Sequence, residues 1–175
     1  MPVVTLTELT KDNWEAVAAL EVHPHQIGFV APNVRSIAET QFYPWVRRRV
    51  ILADGFTAGF AVHGSDPESG EHWLHRFMVM GERQGQGIGR KALRLLVDEW
   101  LADPQIGTVV LSYEPENAVA EKLYVSFGFV PGEIAEWGER VARLILPEKV
   151  AATDPGAAPQ SEPPHPSADR ESRSS

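Results

Sequence analysis

The sequence predicts an α/β (α+β) domain, in which strands and helices are mixed along the chain. Two units of strand, loop and helix carry this prediction, at residues 73–101 and 108–128, and the loop of the first is rich in glycine. A third indication is Asp54-Gly55 between two apolar runs, a strong hairpin signal. With 175 residues, 43% of them hydrophobic, the chain can bury the core of one domain of ordinary size.

Seven strands follow from alternating or continuous apolar runs bounded by turn residues. They are predicted at 3–6, 48–53, 56–63, 72–80, 108–113, 130–134 and 139–146. The strands at 48–53 and 56–63 are joined at Asp54-Gly55 as a hairpin, and a turn is predicted at 65–70. Trp137-Gly138 separates the last two strands.

Four helices follow from apolar periodicity and from residues that begin or end helices. They are predicted at 13–21, 32–43, 88–101 and 118–127. Thr10 or Asp12 can cap the first helix, and Pro44 stops the second. Asn117 is placed to cap the last helix and Gly128 to end it.

Composition excludes several classes of function. The chain has no cysteine, so disulfides, thiolate metal sites and a cysteine acyl-enzyme are excluded. A net charge of −8 makes nucleic acid a poor partner. Without a long apolar run or a signal-peptide pattern, we expect no membrane association and a cytoplasmic location.

The end of the chain differs in composition from the rest. Residues 151–175 are mostly Ala, Pro, Ser, Glu and Arg, with no aromatic residue. Such a segment buries too little apolar surface to order itself. We therefore expect a folded domain at 1–150 and a disordered tail at 151–175.

The loop Arg83-Gln84-Gly85-Gln86-Gly87-Ile88-Gly89-Arg90 joins an apolar strand to an amphipathic helix. Glycine lets a backbone approach an anion, and the free N–H groups of the helix's first turn can bind phosphate. The P-loop pattern is absent, and Arg90 stands where the dinucleotide fingerprint needs its third glycine. The pattern present, Q-x-x-G-x-G, resembles the acetyl-coenzyme A (acetyl-CoA) pyrophosphate loop of the GCN5-related N-acetyltransferases.

A second motif strengthens the resemblance. The pattern N-x-x-A-x-x-L-Y-x-x-x-G-F is complete in Asn117, Ala120, Leu123, Tyr124, Gly128 and Phe129. It resembles the other half of the same coenzyme site. The element order also resembles that of this family over residues 3–146, which implies a mixed, mostly antiparallel central sheet flanked by helices.

The resemblance implies a set of coenzyme-binding residues. Two central parallel strands would splay apart, and their unpaired backbone groups would bond to the pantetheine arm. The residues implied are Phe77, Met78 and Val79 on the strand, Gln84, Gly85, Gln86, Gly87, Ile88, Gly89 and Arg90 in the pyrophosphate loop, and Asn117.

Acetyl transfer to an amine needs a base for the ammonium proton and benefits from an acid at the departing thiolate. The resemblance gives the acid role to Tyr124. His75 stands where similar polyamine acetyltransferases carry a carboxylate, and an imidazole is a competent base near neutral pH. The alternative for His75 is a half-buried strand residue hydrogen-bonded to a neighbour.

The histidines do not predict a metal site. His23 and His25 flank Pro24, and His72 lies near His75, but neither a cysteine nor a carboxylate cluster accompanies them. The resemblance places the acceptor pocket at 23–29 and 133–137. Glu21, Glu133 and Glu136 are carboxylates that could meet an ammonium, but surface solvation is the favoured role of each.

The sequence therefore predicts an acetyl-CoA-dependent N-acetyltransferase with a small-molecule amine acceptor. The layout looks most like the diamine or spermine/spermidine acetyltransferases, at 29–43, 73–79 and 112–117. The alternatives are acetylation of an antibiotic amine or an amino acid, and a non-catalytic acyl-CoA sensor. The resemblance to this family and the exposed sheet edges suggest a homodimer.

Overall fold

The computed structural model describes residues 1–147, which form one seven-stranded sheet with four α-helices. The strands are β1 Val4–Glu8, β2 Val46–Ala53, β3 Phe56–Ser65, β4 His72–Val79, β5 Thr108–Tyr113, β6 Val130–Ile134 and β7 Arg140–Ile145. The helices are α1 Trp14–Ala18, α2 Asn33–Glu39, α3 Ile88–Ala102 and α4 Ala118–Val125. The tail predicted at 151–175 lies outside the described residues.

The sheet is mixed and mostly antiparallel, in the order β1-β2-β3-β4-β5-β7-β6. Within it only β4 and β5 are parallel, and this confirms the fold class that the sequence predicts. The hairpin at Asp54-Gly55 is also confirmed. Both residues have positive φ, 53° and 83°, as a tight two-residue turn between twisted strands requires.

Helices cover the two faces of the sheet unequally. On one face α1 and α2 pack against β2, β3 and β4 around Val17, Phe60 and Met78. On the other face α3 and α4 cover a larger core that includes Trp100. The first face stays open over β5 and β7, where Ile145 is 80% exposed.

The prediction for the first helix is wrong in its length and its cap. The helix is Trp14–Ala18 rather than 13–21, and Asn13 precedes it without a capping side-chain bond. The Asn13 side chain instead accepts from the backbone N–H of Thr10 at 2.7 Å and donates to the carbonyl of Glu8 at 2.9 Å. Local polar bonds hold this segment as a turn, which shortens the helix.

A buried polar chain links β3, β4 and α3. The indole N–H of Trp100 donates to Nδ1 of His63 at 3.1 Å, which therefore is an acceptor. His72 Nε2 lies 3.0 Å from the same atom and so is the donor of that pair. Its Nδ1 then accepts from the Ser65 hydroxyl at 2.9 Å. Burial comes first among the causes that lower the pKa of His63 to about 3 and that of His72 to about 4.

Candidate active site

The parallel strands β4 and β5 separate along their length. Their pairing is limited to His72 with Val109, Trp73 with Val110, and Leu74 with Leu111. Both strands then continue without pairing to each other, β4 to Val79 and β5 to Tyr113. A wedge therefore opens in the middle of the sheet, with unpaired backbone groups along its β4 side.

A β-bulge lies where β4 leaves β5. Opposite β4, Val62 of β3 pairs with Arg76 and His63 pairs with Leu74, so His75 is the extra residue. A bulge bends its strand and re-aims the side chains next to it. The bulge thus accounts for the departure of β4 from its parallel neighbour at this residue.

A cleft of about 480 Å³ occupies the wedge. Of the residues predicted for the site, all but Gln86 line it: His75, Phe77, Met78, Val79, Gln84, Gly85, Gly87, Ile88, Gly89, Arg90, Asn117 and Tyr124. Gln86 is exposed, and its side chain donates to the carbonyl of Glu82 at 3.3 Å. The fold thus brings together residues that are distant in the chain.

The glycine loop forms one end of this cleft. Gly85 and Gly87 have φ of 75° and 78°, a conformation that favours glycine, and α3 begins directly after Gly87. The first N–H groups of a helix have no acceptor within it, and the helix dipole adds partial positive charge there. Arg83 and Arg90 also line this end, so it suits an anion.

Tyr124 lies on α4 and is 7% exposed. Its ring packs at 5.8 Å, between ring centres, from both Tyr113 and Phe129. Burial, followed by nearby Tyr113, raises the pKa of the Tyr124 phenol well above its ordinary value. No side-chain hydrogen bond to another residue of 1–147 acts on this phenol, so the hydroxyl is a protonated donor available at the cleft.

The end residues of α4 act as the sequence predicts. The Asn117 side chain accepts from the backbone N–H of Ala120 at 3.1 Å, which caps the helix. Gly128, with φ of 93°, ends the helix. These two caps hold Tyr124 in its orientation at the cleft.

His75 lies between the cleft and a second cavity of about 320 Å³. Its ring stacks on Trp73 at 6.1 Å and lies 5.5 Å from the ring of Trp45. The Nε2 atom is buried without a hydrogen-bond partner among residues 1–147. Burial, followed by the neighbouring Arg76 charge, lowers the pKa of His75 to about 4, so the imidazole is neutral at neutral pH.

A carboxylate that the sequence patterns do not predict lies at the far end of the cleft. Glu139 lines it and accepts a hydrogen bond from the Ser112 hydroxyl. Glu21, Glu133 and Glu136 are exposed and do not line the cleft, in agreement with surface solvation as their favoured role. Only the register of β5 against β7 reveals Glu139, and no local sequence pattern encodes that register.

No metal centre or membrane span is found in the part of the chain that the structure describes. Among residues 1–147, no three His, Asp or Glu side chains are grouped so that they could hold a metal ion. His23 and His25 instead stack on each other with ring centres 5.5 Å apart. None of the helices at 1–147 has the length and apolarity to cross a bilayer.

The splayed strands, glycine loop and α4 tyrosine define a class of protein. The chain belongs to the acetyltransferase (GNAT) family, whose model matches residues 7–129. It is therefore an acetyl-CoA-dependent N-acetyltransferase.

Curated relatives include two that act on small molecules. The spermine/spermidine N(1)-acetyltransferase of Bacillus subtilis (strain 168) is 28% identical over 145 residues, covering 79% of this chain and 95% of the relative. The mycothiol acetyltransferase of Pseudarthrobacter chlorophenolicus is 33% identical, covering 68% of this chain and 39% of the relative.

Solved structures share the fold at low identity. The ribosomal-protein-S18-alanine N-acetyltransferase of Escherichia coli matches with a TM-score of 0.65 at 24% identity, covering 86% of this chain and 97% of that one. The aminoglycoside acetyltransferase AAC(6')-Ib, in complex with coenzyme A, matches with a TM-score of 0.67 at 16% identity. The match covers 82% of this chain and 95% of that one.

Proposed function

We propose that this chain transfers the acetyl group of acetyl-CoA to a primary amine of a polyamine such as spermine or spermidine. The observation that carries the proposal is the polarity of the cleft, from the cationic glycine loop to the carboxylate of Glu139. The spermine/spermidine N(1)-acetyltransferase relative, matched over 95% of its length, supports the polyamine as acceptor.

The chemistry follows from the residues along the cleft. The N–H groups of 84–90 bind the coenzyme pyrophosphate, and the unpaired backbone of 77–79 binds the pantetheine arm. The neutral amine attacks the thioester carbonyl, a C–N bond forms and the C–S bond breaks. The departing thiolate takes the proton of Tyr124, whose raised pKa keeps it protonated beforehand.

His75 is the proposed base, acting directly or through a water molecule. It lies on the strand that holds the pantetheine arm, and its neutral form is available at neutral pH. Because the pKa of its conjugate acid is about 4, it accepts a proton only weakly. A water held by backbone carbonyls is the alternative.

A thiol-release screen with acetyl-CoA tests the acceptor. The panel contains polyamines, aminoglycosides, amino acids and a peptide with a free N-terminus. We expect release with polyamines at a kcat/KM at least about tenfold above that of any other class. Release confined to aminoglycosides, amino acids or the peptide would overturn the polyamine assignment and leave the acetyltransferase assignment intact.

A further inference from the structure

The cleft carries opposite charges at its two ends. Arg83 and Arg90 line the end at the glycine loop. Arg76 of β4 also lines the cleft, but its charge is paired with the carboxylate of Glu39 at 3.3 Å. Among the residues of 1–147 that line the cleft, Glu139 is the one carboxylate, and it lies at the other end beside Ser112. A ligand with phosphates at one end and a cation at the other fits this polarity.

Glu139 faces the cleft because of strand register. Ser112 of β5 pairs with Val141 of β7, and residues paired in this way share a face of the sheet. Glu139 is two residues before Val141, so it lies on that same face. The neighbouring Arg140 lies on the opposite face, where it donates to the carbonyl of Gly132 at 2.8 Å.

The Glu139 carboxylate is held but not neutralised. Ser112 donates to Oε2, and no Lys, Arg or His of residues 1–147 forms an ion pair with Glu139. The residue is half-buried. A carboxylate removed from water without a cation is costly, so an incoming ammonium is favoured there.

The face that carries Glu139 is open to an acceptor. Helices α1 and α2 cover this face over β2 to β4, whereas Arg143 and Ile145 beyond Glu139 are exposed. Trp73 shares the face, since it pairs with Val110, two residues before Ser112.

We propose that Glu139, held by Ser112, binds a second ammonium group of the acceptor, distinct from the amine that is acetylated. The residue would then set a preference for diamines and polyamines over monoamines. This inference rests on the proposed function, because it needs an amine acceptor in the same cleft.

The test compares putrescine with butylamine, which has the same chain length and one ammonium fewer. We expect wild-type kcat/KM to favour putrescine by at least about tenfold, which corresponds to about 1.4 kcal/mol. Glu139→Gln removes the charge while its amide oxygen can still accept from Ser112. It should abolish the preference by raising the KM for putrescine, with coenzyme affinity unchanged.

Glu136→Gln is the matched control, because it removes an exposed carboxylate from the same hairpin. It should keep the wild-type preference. A Glu139→Gln enzyme that still prefers putrescine would overturn the inference alone. An equal loss on both amines would also overturn it, since the carboxylate would then act on the reacting amine. A wild-type enzyme that acetylates neither amine nor spermidine would instead overturn the proposed function.

Discussion

Gln26 and Gln84 hold each other by two amide hydrogen bonds. Nε2 of Gln84 donates to Oε1 of Gln26 at 2.9 Å, and Nε2 of Gln26 donates to Oε1 of Gln84 at 3.0 Å. Gln84 also donates to the carbonyl of Val79 at 2.9 Å. The motif glutamine therefore ties the glycine loop to β4 and to the segment between α1 and α2.

Loss of this pair should weaken coenzyme binding from a distance. Gln26→Ala leaves the glycine loop's own sequence intact but removes its anchor. We expect a loss of coenzyme affinity of several fold, because partly buried hydrogen bonds of this kind contribute about 1 kcal/mol each. Calorimetry measures it, with Gln86→Ala as the control in the same loop. Equal affinity in Gln26→Ala and wild type would show that the pair does not support the loop.

A negative charge at the glycine loop should oppose the pyrophosphate. Gly89 suits this test because an added Cβ would meet Val79, Leu123 and Phe77 only at ordinary contact distances of 3.7 to 3.9 Å. Gly89→Glu should lower coenzyme affinity by at least about tenfold. Gly107→Glu adds the same charge where nothing lies within 4 Å, and it should have no effect on affinity. Unchanged coenzyme affinity in a folded Gly89→Glu protein would show that the glycine loop does not bind the pyrophosphate.

Tyr124→Phe should separate chemistry from binding. The ring keeps its packing on Tyr113 and Phe129, while the proton donor is lost. We expect kcat to fall by roughly 10²-fold with coenzyme affinity unchanged. Tyr113→Phe is the control, because that hydroxyl is bonded to Glu121 at 3.0 Å. A Tyr124→Phe enzyme with wild-type kcat would place the acid elsewhere or show that thiolate departure needs none.

His75 gives a prediction about pH. Because its pKa is lowered to about 4, its protonation leaves no ascending limb in kcat/KM between about pH 5 and pH 8. If His75 is the base, His75→Ala should lower kcat/KM by about 10²-fold, and His75→Glu should restore part of the rate. A folded His75→Ala enzyme with wild-type kcat/KM would show that His75 is not the base, and a water molecule would then be the base.

The buried His63–His72 pair should make the fold sensitive to acid. Both pKa values are lowered, to about 3 and about 4, so only the unfolded chain gains these protons as pH falls below about 6.5. We expect the free energy of unfolding to fall by about 1 to 3 kcal/mol per pH unit down to about pH 4. Denaturant titrations measure this. His63→Leu keeps the side-chain volume but removes one titrating group. If its free energy of unfolding changes with pH as steeply as that of the wild type, this explanation is wrong.

Local sequence signals predict the elements well and the contacts between them poorly. Asn117 and Gly128 bound α4 as predicted, because caps depend on neighbouring residues. The bulge at His75 and the Ser112–Glu139 hydrogen bond depend on register between strands far apart in the chain. The amide pair of Gln26 and Gln84 joins residues 58 positions apart for the same reason.

The most direct test of the central claim is a crystal structure of the protein with coenzyme A and spermidine. We expect the pyrophosphate on the backbone of 84–90, the pantetheine arm along 77–79 and the sulfur within hydrogen-bond reach of the Tyr124 hydroxyl. We also expect spermidine on the open face beside Glu139. A sulfur remote from Tyr124 would refute its role as the acid, and a coenzyme bound outside the wedge between β4 and β5 would refute the coenzyme site.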